Sequence, residues 1–203
     1  MTGFYRFAKW VCNLFCAIKF KIEVYGRENL PQEGGFILAS NHISDYDPIL
    51  IGIKLKRQLN FMAKAELFEN KLFGAVLRGL GAFPVERGKG DNTAIMKAID
   101  TVKGGDVLAI FPEGTRSKDG QLRRFKSGAI VVAAQTGANI IPTSVYIEGI
   151  YDNKRKLRPR VVVRYGELIP NQQLEVDVEN PVTIKKASNC VRNAIAGLLE
   201  EPK

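Results

Sequence analysis

The chain has 203 residues, of which 45% are apolar and 25% are charged. This is the composition of an ordinary folded domain, and it excludes an intrinsically disordered chain. Lys and Arg outnumber Asp and Glu by 30 to 21, which gives a formal net charge of +9. Such a surplus favours polyanionic partners (nucleic acid, an anionic membrane or a phosphorylated substrate) without choosing among them. Only three cysteines occur, and their spacing does not suggest a zinc site, so no metal centre is predicted.

A first helix is predicted over residues 4–18. Its projection separates an apolar face from a polar one, with Phe4, Phe7, Val11, Leu14, Phe15 and Ile18 on one side and Arg6, Lys9 and Asn13 on the other. A broad aromatic-rich face beside a narrow basic stripe is typical of a helix lying in a membrane interface. A first helix packed in the core would also be amphipathic. We expect residues 1–21 to form a membrane-binding helix, on the cytoplasmic face of the cell membrane, and residues 22–203 to form one domain.

Short β-branched runs alternate with helical patterns along the rest of the chain. The predicted strands cover residues 22–25, 35–39, 59–63, 82–85, 107–111, 140–147 and 160–165. The predicted helices cover residues 49–55, 68–78, 93–103, 127–136 and 182–199. This alternation predicts a single-domain α/β fold with a mostly parallel mixed sheet flanked by helices. Because functional residues in such folds gather in loops beyond the strand ends, residues directly after a strand are the candidates for chemistry.

His42 is the only histidine, and it follows the strand predicted over residues 35–39. A neutral imidazole is well suited to take a proton from an alcohol, and Asp47 is near enough in sequence to orient it. On one regular helix the two side chains would lie about 140° apart. We therefore expect His42 in the loop, with the chain turning so that Asp47 reaches back. Two alternatives stay open: Asp47 is a helix cap before Pro48, or Asp45 is the partner carboxylate.

Cationic side chains mark the ends of three further strands. Glu113 and Arg116 follow the strand that begins at residue 107, Arg87 ends the segment 81–87, and Lys64 follows the strand 59–63. A guanidinium fork suits a phosphate, which it grips through two hydrogen bonds. These residues would share one anion pocket with His42 if their strands are neighbours. The alternative is a set of solvated surface turns in which a Glu–Arg pair contributes little.

Taken together, these segments resemble the glycerolipid acyltransferase family, specifically its 1-acylglycerol-3-phosphate acyltransferases. Four ordered blocks of that family match, over roughly residues 20 to 170. They are Asn41-His42 with Asp47, Gly81 with Phe83 and Arg87, the seven residues Phe111-Pro112-Glu113-Gly114-Thr115-Arg116-Ser117 without a mismatch, and Ile141-Pro142-Thr143. The stretch 63–68 also resembles a lysine-containing segment of the family.

The resemblance implies a role for each matched residue. His42 would be the general base, oriented by Asp47. The substrate-binding residues would be Lys64, Arg87, Glu113, Gly114, Thr115 and Arg116, with the cations on the phosphate and Glu113 fixing a basic residue. The acceptor would be lysophosphatidic acid (1-acylglycerol 3-phosphate) at its sn-2 hydroxyl, and the product phosphatidic acid. The donor would be an acyl thioester on coenzyme A or acyl carrier protein, with no cofactor.

Other functions compete with this interpretation. Within the same enzyme class, the acceptor could be glycerol 3-phosphate, lysophosphatidylcholine or a lyso-ornithine lipid. From another class, the chain could be a basic membrane- or nucleic-acid-binding module that uses residues 54–57 and 154–160. Because no aromatic residues interleave with these basic runs on a recognisable RNA-binding sheet, nucleic acid is not expected as a partner.

Overall fold

A computed structural model describes residues 1–86, 92–151 and 157–200. In these ranges seven strands form: β1 Lys21–Tyr25, β2 Phe36–Ser40, β3 Leu59–Lys64, β4 Ala82–Val85, β5 Val107–Ile110, β6 Ile140–Ile147 and β7 Arg160–Tyr165. The α-helices are α1 Gly3–Lys19, α2 Asp47–Gly52, α3 Lys71–Gly79, α4 Asn92–Lys103, α5 Gly128–Thr136, α6 Asn171–Leu174 and α7 Pro181–Glu200. The seven strands start and end within one residue of their predicted positions.

The strands form one sheet in the order β1-β7-β6-β2-β5-β3-β4. Five neighbouring pairs are parallel, and β6 with β7 is antiparallel. The prediction of a mostly parallel mixed sheet flanked by helices is therefore confirmed. Strands β6, β2, β5, β3 and β4 run in one direction, so their carboxyl ends lie along the same edge of the sheet. Loops at that edge are where ligands bind in open α/β sheets.

Strand β2 lies at the centre of the sheet, and all five of its residues are buried. Alternate side chains enter two separate cores: Leu38 packs on the face covered by α1 and α2, and Ile37 on the face covered by α4, α5 and α7. A strand covered on both faces is typical of parallel sheets, and it explains the unbroken apolar run Phe36–Ala39. Ala39 pairs with Ile110 of β5 and Pro142 of β6, which sets the register at the functional edge.

Helix α1 packs on the sheet domain through the side that carries Tyr5, Lys9 and Cys16, and not through its aromatic-rich face. The Lys9 ammonium donates to the carbonyl of Leu55, and the hydroxyl of the buried Tyr5 accepts from the N–H of Leu59. The apolar side is exposed, and its side chains are Phe4, Phe7, Trp10, Val11, Leu14, Phe15 and Ile18, with exposures from 42% to 70%. The alternative of a first helix with its apolar face in the core is therefore wrong. Within the described ranges, none of the helices is long and apolar enough to cross a bilayer.

Candidate active site

His42 lies two residues beyond the end of β2, and Asp47 is the first residue of α2. The chain turns between them, so that Asp47 Oδ2 lies 2.7 Å from His42 Nδ1. The same oxygen accepts the backbone N–H groups of Ile43 at 2.7 Å and Ser44 at 2.9 Å. Asp47 is fully buried, and its other oxygen has no hydrogen-bond partner in the described part of the chain. The loop position expected for His42 is thus observed, and the carboxylate beside it is Asp47 rather than Asp45.

Three hydrogen bonds to one carboxylate oxygen fix the imidazole and the two backbone amides that follow it. With Asp47 accepting at Nδ1, that nitrogen carries the proton, and Nε2 keeps a free lone pair. The ring of His42 stacks on Phe111 with 4.3 Å between centroids, and the residue is 8% exposed. Phe111 directly follows β5, the neighbour of β2. The arrangement can therefore accept one proton at Nε2 and stabilise the imidazolium that forms.

Glu113 connects the β2 and β5 loops. It is 4% exposed, and its two carboxylate oxygens accept the backbone N–H groups of His42 at 2.9 Å and Arg123 at 3.0 Å. Glu113 thus holds a basic residue, Arg123, through its main-chain amide rather than through its guanidinium. In return, the Ser117 N–H donates to the His42 carbonyl at 2.7 Å. Glu113 is therefore a positioning residue for the backbone of His42.

Asn41 fixes the same loop from the other side. Its side-chain amide donates to the Val145 carbonyl at 2.9 Å and accepts the Val145 N–H at 2.8 Å. Val145 belongs to β6, the other neighbour of β2. Pro142 lies on the same strand, in the buried centre of the sheet beside Ala39, and not in a loop. The segment that carries His42 is thus held by β5 on one side and by β6 on the other.

Arg116 lies at the rim of the site and pairs with Asp45. Both side chains are more than half exposed, so the pair itself stabilises the fold little. Thr115, beside it, is also exposed. Lys64 closes β3 and pairs with Glu66 at 2.8 Å, with half of its side chain exposed. The structure therefore brings Arg116 to the loop of His42, whereas the Lys64 ammonium lies against a residue of the following 3₁₀ turn.

Lys126 is a further cation at this edge, in the basic run 123–126 that precedes the start of α5 and that the sequence marks as a place where anions can bind. Gly114 has a φ of +69°, and a Cβ at that position would lie 2.8 Å from the Lys126 ammonium and Cε. The left-handed backbone favours glycine here, and the absence of a Cβ leaves room for the lysine to lie across the turn. The N–H of Lys126 donates to the Pro112 carbonyl at 2.8 Å. Arg116 and Lys126 thus place two positive charges on one loop system near His42.

A pocket shared by Arg87 and Arg116 was expected if their strands, β4 and β5, are neighbours, and they are not. Arg87 itself lies outside the described residues. Its strand β4 is separated from β5 by β3, so β4 lies roughly 10 Å from β5 and 14 Å from β2 at the usual strand spacing. Gly81 of the same block has a φ of +86°, and a Cβ there would come within 2.4 Å of the Leu59 carbonyl oxygen. That glycine is therefore required by the close approach of β3.

Tyr151 is a site neighbour for which the sequence carried no signal. Its hydroxyl lies 3.4 Å from the Ser117 carbonyl, and its ring packs against Gly120. Burial raises the pKa of the Tyr151 phenol, and the negative charges of Asp47 and Glu113 raise this pKa further. Residues 157–160 are described for the second basic run and 154–156 are not. No cluster of three or more His, Cys, Asp or Glu side chains that could hold a metal ion occurs in the described ranges.

Comparison with known proteins identifies a family. The family model described as Acyltransferase matches residues 21–146, which include His42, Asp47 and the loop 111–117. The chain is 36% identical over 142 residues to the 1-acyl-sn-glycerol-3-phosphate acyltransferase of Bacillus subtilis, across 69% of this chain and 70% of that protein. It is 35% identical over 128 residues to the protein of the same name in Borreliella burgdorferi, across 62% of this chain and 51% of that protein.

A solved structure shares the fold. The 1-acyl-sn-glycerophosphate (LPA) acyltransferase PlsC of Thermotoga maritima superimposes with a TM-score of 0.73, over 98% of this chain and 83% of that one, at 24% sequence identity. The family model covers well over half of the chain, and it includes both the His42–Asp47 pair and the loop that positions it. The chain therefore belongs to the acyltransferase family.

Proposed function

We propose that the chain transfers an acyl group from an acyl thioester, carried by coenzyme A or acyl carrier protein, to the sn-2 hydroxyl of 1-acylglycerol 3-phosphate. The product is phosphatidic acid. The observation that carries the proposal is the 2.7 Å contact between His42 Nδ1 and Asp47 Oδ2, which leaves Nε2 as the proton acceptor. The names of the Bacillus and Borreliella relatives support lysophosphatidic acid as the acceptor.

In the proposed reaction the acceptor hydroxyl oxygen attacks the thioester carbonyl carbon while its proton moves to His42 Nε2. The tetrahedral intermediate then expels the thiolate, and the imidazolium returns the proton to the leaving sulfur. Asp47 stabilises the imidazolium during both steps. The products are an ester and a free thiol, so the step balances with the residues of this chain and its two substrates. The amides of His42 and Arg123, held by Glu113, keep the two loops in place throughout.

Phosphate recognition is assigned to the cations at the same edge. Arg116 offers a guanidinium that exchanges its exposed partner Asp45 for a phosphate, and Lys126 adds a second charge across Gly114. The family resemblance also implies that Lys64 and Arg87 bind the phosphate, and we keep this as part of the proposal. Glu113, Gly114 and Thr115 form the turn that carries Arg116.

The acceptor and donor are tested together with the purified protein. Lysophosphatidic acid, glycerol 3-phosphate, lysophosphatidylcholine and a lyso-ornithine lipid are each supplied with acyl-coenzyme A and then with acyl carrier protein, and the lipids are read by mass spectrometry. We expect phosphatidic acid from lysophosphatidic acid, and none with His42→Ala, because no second histidine can replace the base. Ester formation only on an acceptor that lacks a phosphomonoester would refute the proposal.

The role of Arg116 is tested in the same assay. Arg116→Ala should raise KM for the phosphate acceptor about 10- to 100-fold, since a hydrogen bond to a charged group contributes roughly 1.5–3 kcal/mol. Arg27→Ala removes the same charge from an exposed arginine after β1, at the opposite edge of the sheet, and should leave KM unchanged. Equal KM values for the two variants would contradict the assignment.

We also propose that α1 binds the surface of an anionic membrane, with residues 1–21 as the membrane-binding segment. Support comes from its packing, because the helix contacts the protein through the side of Tyr5, Lys9 and Cys16 and leaves seven large apolar side chains exposed. Phe4 contacts Gly79, the last residue of α3, and Leu72 and Phe73 near the start of the same helix are exposed as well. Exposed apolar side chains thus occur on two helices that are in contact. A group of this size is more than a scatter of single exposed residues, and it marks an interaction site.

Vesicle sedimentation tests this surface. Replacing Phe7 and Trp10 by Ser should reduce binding to phosphatidylglycerol vesicles about 10²- to 10⁴-fold, because burying each aromatic side chain stabilises the bound state by about 1.5–3 kcal/mol. Val182→Ser, an exposed apolar residue of α7, is the matched control and should bind like the parent protein. Equal binding by all three proteins would exclude α1 as the membrane contact.

A further inference from the structure

The last residue of α1, Lys19, lies among three aromatic rings. Its ammonium donates to the Tyr46 hydroxyl at 2.5 Å and lies 4.1 Å from the centroid of the Tyr46 ring. The centroids of Phe15 and Phe20 are 5.4 and 5.6 Å away. Both of these rings also contact Tyr46, with centroids 6.1 and 5.5 Å from it. A cation within about 6 Å of an aromatic ring is attracted by the ring quadrupole, so the four side chains form one cluster.

This cluster joins α1 to the segment 41–47, which carries His42 and Asp47 and is called the catalytic segment below. Tyr46 directly precedes Asp47, and the Tyr46 carbonyl accepts the N–H groups of Ile49 and Leu50, which starts α2. The Tyr46 N–H donates to the Ser44 hydroxyl at 3.2 Å. A displacement of Tyr46 therefore displaces the helix start that holds Asp47 against His42. The other α1 side-chain hydrogen bonds described above end on Leu55 and Leu59, outside this segment.

The helix end that carries Lys19 is itself fixed to the sheet domain. Phe20 is 3% exposed, and the Arg158 guanidinium donates to the carbonyls of Ala17 and Phe20. Seven apolar side chains of the helix are more than 40% exposed, and one of them, Phe15, belongs to the cluster itself. Insertion of these side chains into a membrane therefore changes the orientation of α1 relative to the sheet domain. The change is transmitted to the cluster of Lys19, Phe15, Phe20 and Tyr46, which lies at the end of the helix that is fixed to the domain.

We infer that Lys19 and Tyr46 are positioning residues that couple the seating of α1 on a membrane to the geometry of the His42–Asp47 pair. The inference rests on the proposed acyl transfer and on the proposed membrane role of α1. The helix would then do more than attach the protein to the membrane. Its last turn, with Phe15 and Lys19, contacts Tyr46, the residue before Asp47.

The test uses three variants of the full chain. Lys19→Met keeps the length of the side chain and removes the ammonium, and Tyr46→Phe keeps the ring and removes the hydroxyl. Lys185→Met makes the same charge change on the exposed surface of α7, on the other face of the sheet. Turnover of lysophosphatidic acid is measured on vesicles of phosphatidylglycerol and phosphatidylethanolamine, together with vesicle sedimentation. In parallel, NMR follows the Nδ1 proton of His42, whose signal is unique because the chain has one histidine.

We expect Lys19→Met and Tyr46→Phe to lower kcat about 10- to 100-fold, with KM and sedimentation equal to those of Lys185→Met, because a displacement of about 1 Å at catalytic groups can cost about 100-fold. The His42 signal should move in both variants, and vesicles should shift it in the parent protein but not in Lys19→Met. Equal kcat in Lys19→Met and Lys185→Met overturns the inference. So does a fall in kcat without a change in the His42 signal.

The two levels of proposal fail separately. If the parent protein acylates none of the four acceptors, the proposed function fails, while the His42 signal, which needs no substrate, still decides whether Lys19 and Tyr46 set the environment of the imidazole. If transfer occurs and the His42 signal is the same in all variants, the enzyme assignment stands and the coupling is wrong.

Discussion

Replacing Asp47 by Asn tests the site most directly, because the change is nearly isosteric. Oδ2 of Asp47 accepts three hydrogen bonds of 2.7 to 2.9 Å, from His42, Ile43 and Ser44. An amide nitrogen at the Oδ2 position would face three donors. At the Oδ1 position it would be a buried N–H2 group with no acceptor in the described part of the chain. Either orientation therefore leaves buried polar groups unsatisfied, and the neutral amide no longer stabilises the imidazolium.

The size of both effects follows from these contacts. An unsatisfied buried polar group costs about 1–3 kcal/mol. A chain of this length loses roughly 2–4 °C of Tm per kcal/mol, so we expect Tm to fall by about 2–12 °C. The loss of turnover should be larger, about 10²- to 10⁴-fold in kcat, since the comparable change in a Ser-His-Asp triad lowers kcat about 10⁴-fold. KM for the acceptor should change little, because Asp47 is fully buried.

The assay combines scanning calorimetry with acyl transfer measured at saturating substrate. Asp45→Asn makes the same chemical change on a carboxylate that is 79% exposed, and it should keep the Tm of the parent protein. The reasoning is refuted if Asp47→Asn keeps the parent turnover, or if Asp45→Asn lowers kcat as much as Asp47→Asn does.

Three further outcomes are expected from the structure. Glu113→Gln must lose one of the two hydrogen bonds that Glu113 accepts from backbone amides, because the amide nitrogen of Gln cannot accept. A charge-assisted hydrogen bond contributes roughly 1.5–3 kcal/mol, so kcat should fall about 10- to 100-fold. Unchanged turnover would contradict the positioning role. Burial raises the pKa of the Cys16 thiol to about 11, so with Ellman's reagent at neutral pH the exposed Cys190 should react fast and Cys16 only after unfolding. Hydrogen bonding to Arg160 lowers the pKa of Glu23 to about 2 from an ordinary 4.5. The stabilisation by this pair is present above pH 4.5 and is lost as the pH falls towards 2, so Glu23→Gln should lower Tm slightly at pH 7 and leave it unchanged at pH 2.

The sheet was largely predictable from the sequence because each strand is a run of β-branched or apolar residues between turn signals. The same periodicity correctly separated the two faces of α1. It did not tell which face meets the protein, since an amphipathic pattern only distinguishes two environments. The outward face is set by contacts far along the chain, such as the bond of Lys9 to the Leu55 carbonyl.

The site was predictable as a set of residues more than as a set of contacts. The spacing of His42 and Asp47 indicated a loop that turns back, and the structure has this turn. The choice between Asp45 and Asp47 depended on the path of three residues, which no spacing specifies. The partners of Glu113 could not be foreseen, because backbone amides leave no trace in a sequence. Tyr151 reaches the site from a loop after β6 and belongs to no motif.

The hydrogen bonds that hold the catalytic segment, residues 41–47, have a consequence for folding. The bond between His42 and Asp47 spans five positions, whereas Glu113 reaches His42 across 71 positions and Asn41 reaches Val145 across 104. The segment 41–47 can form locally, but it acquires its fixed geometry only after β5 and β6 have joined β2. Enzymatic activity should therefore be regained last during refolding, after the helical signal, so that recovered turnover reports a completed central sheet rather than a collapsed chain.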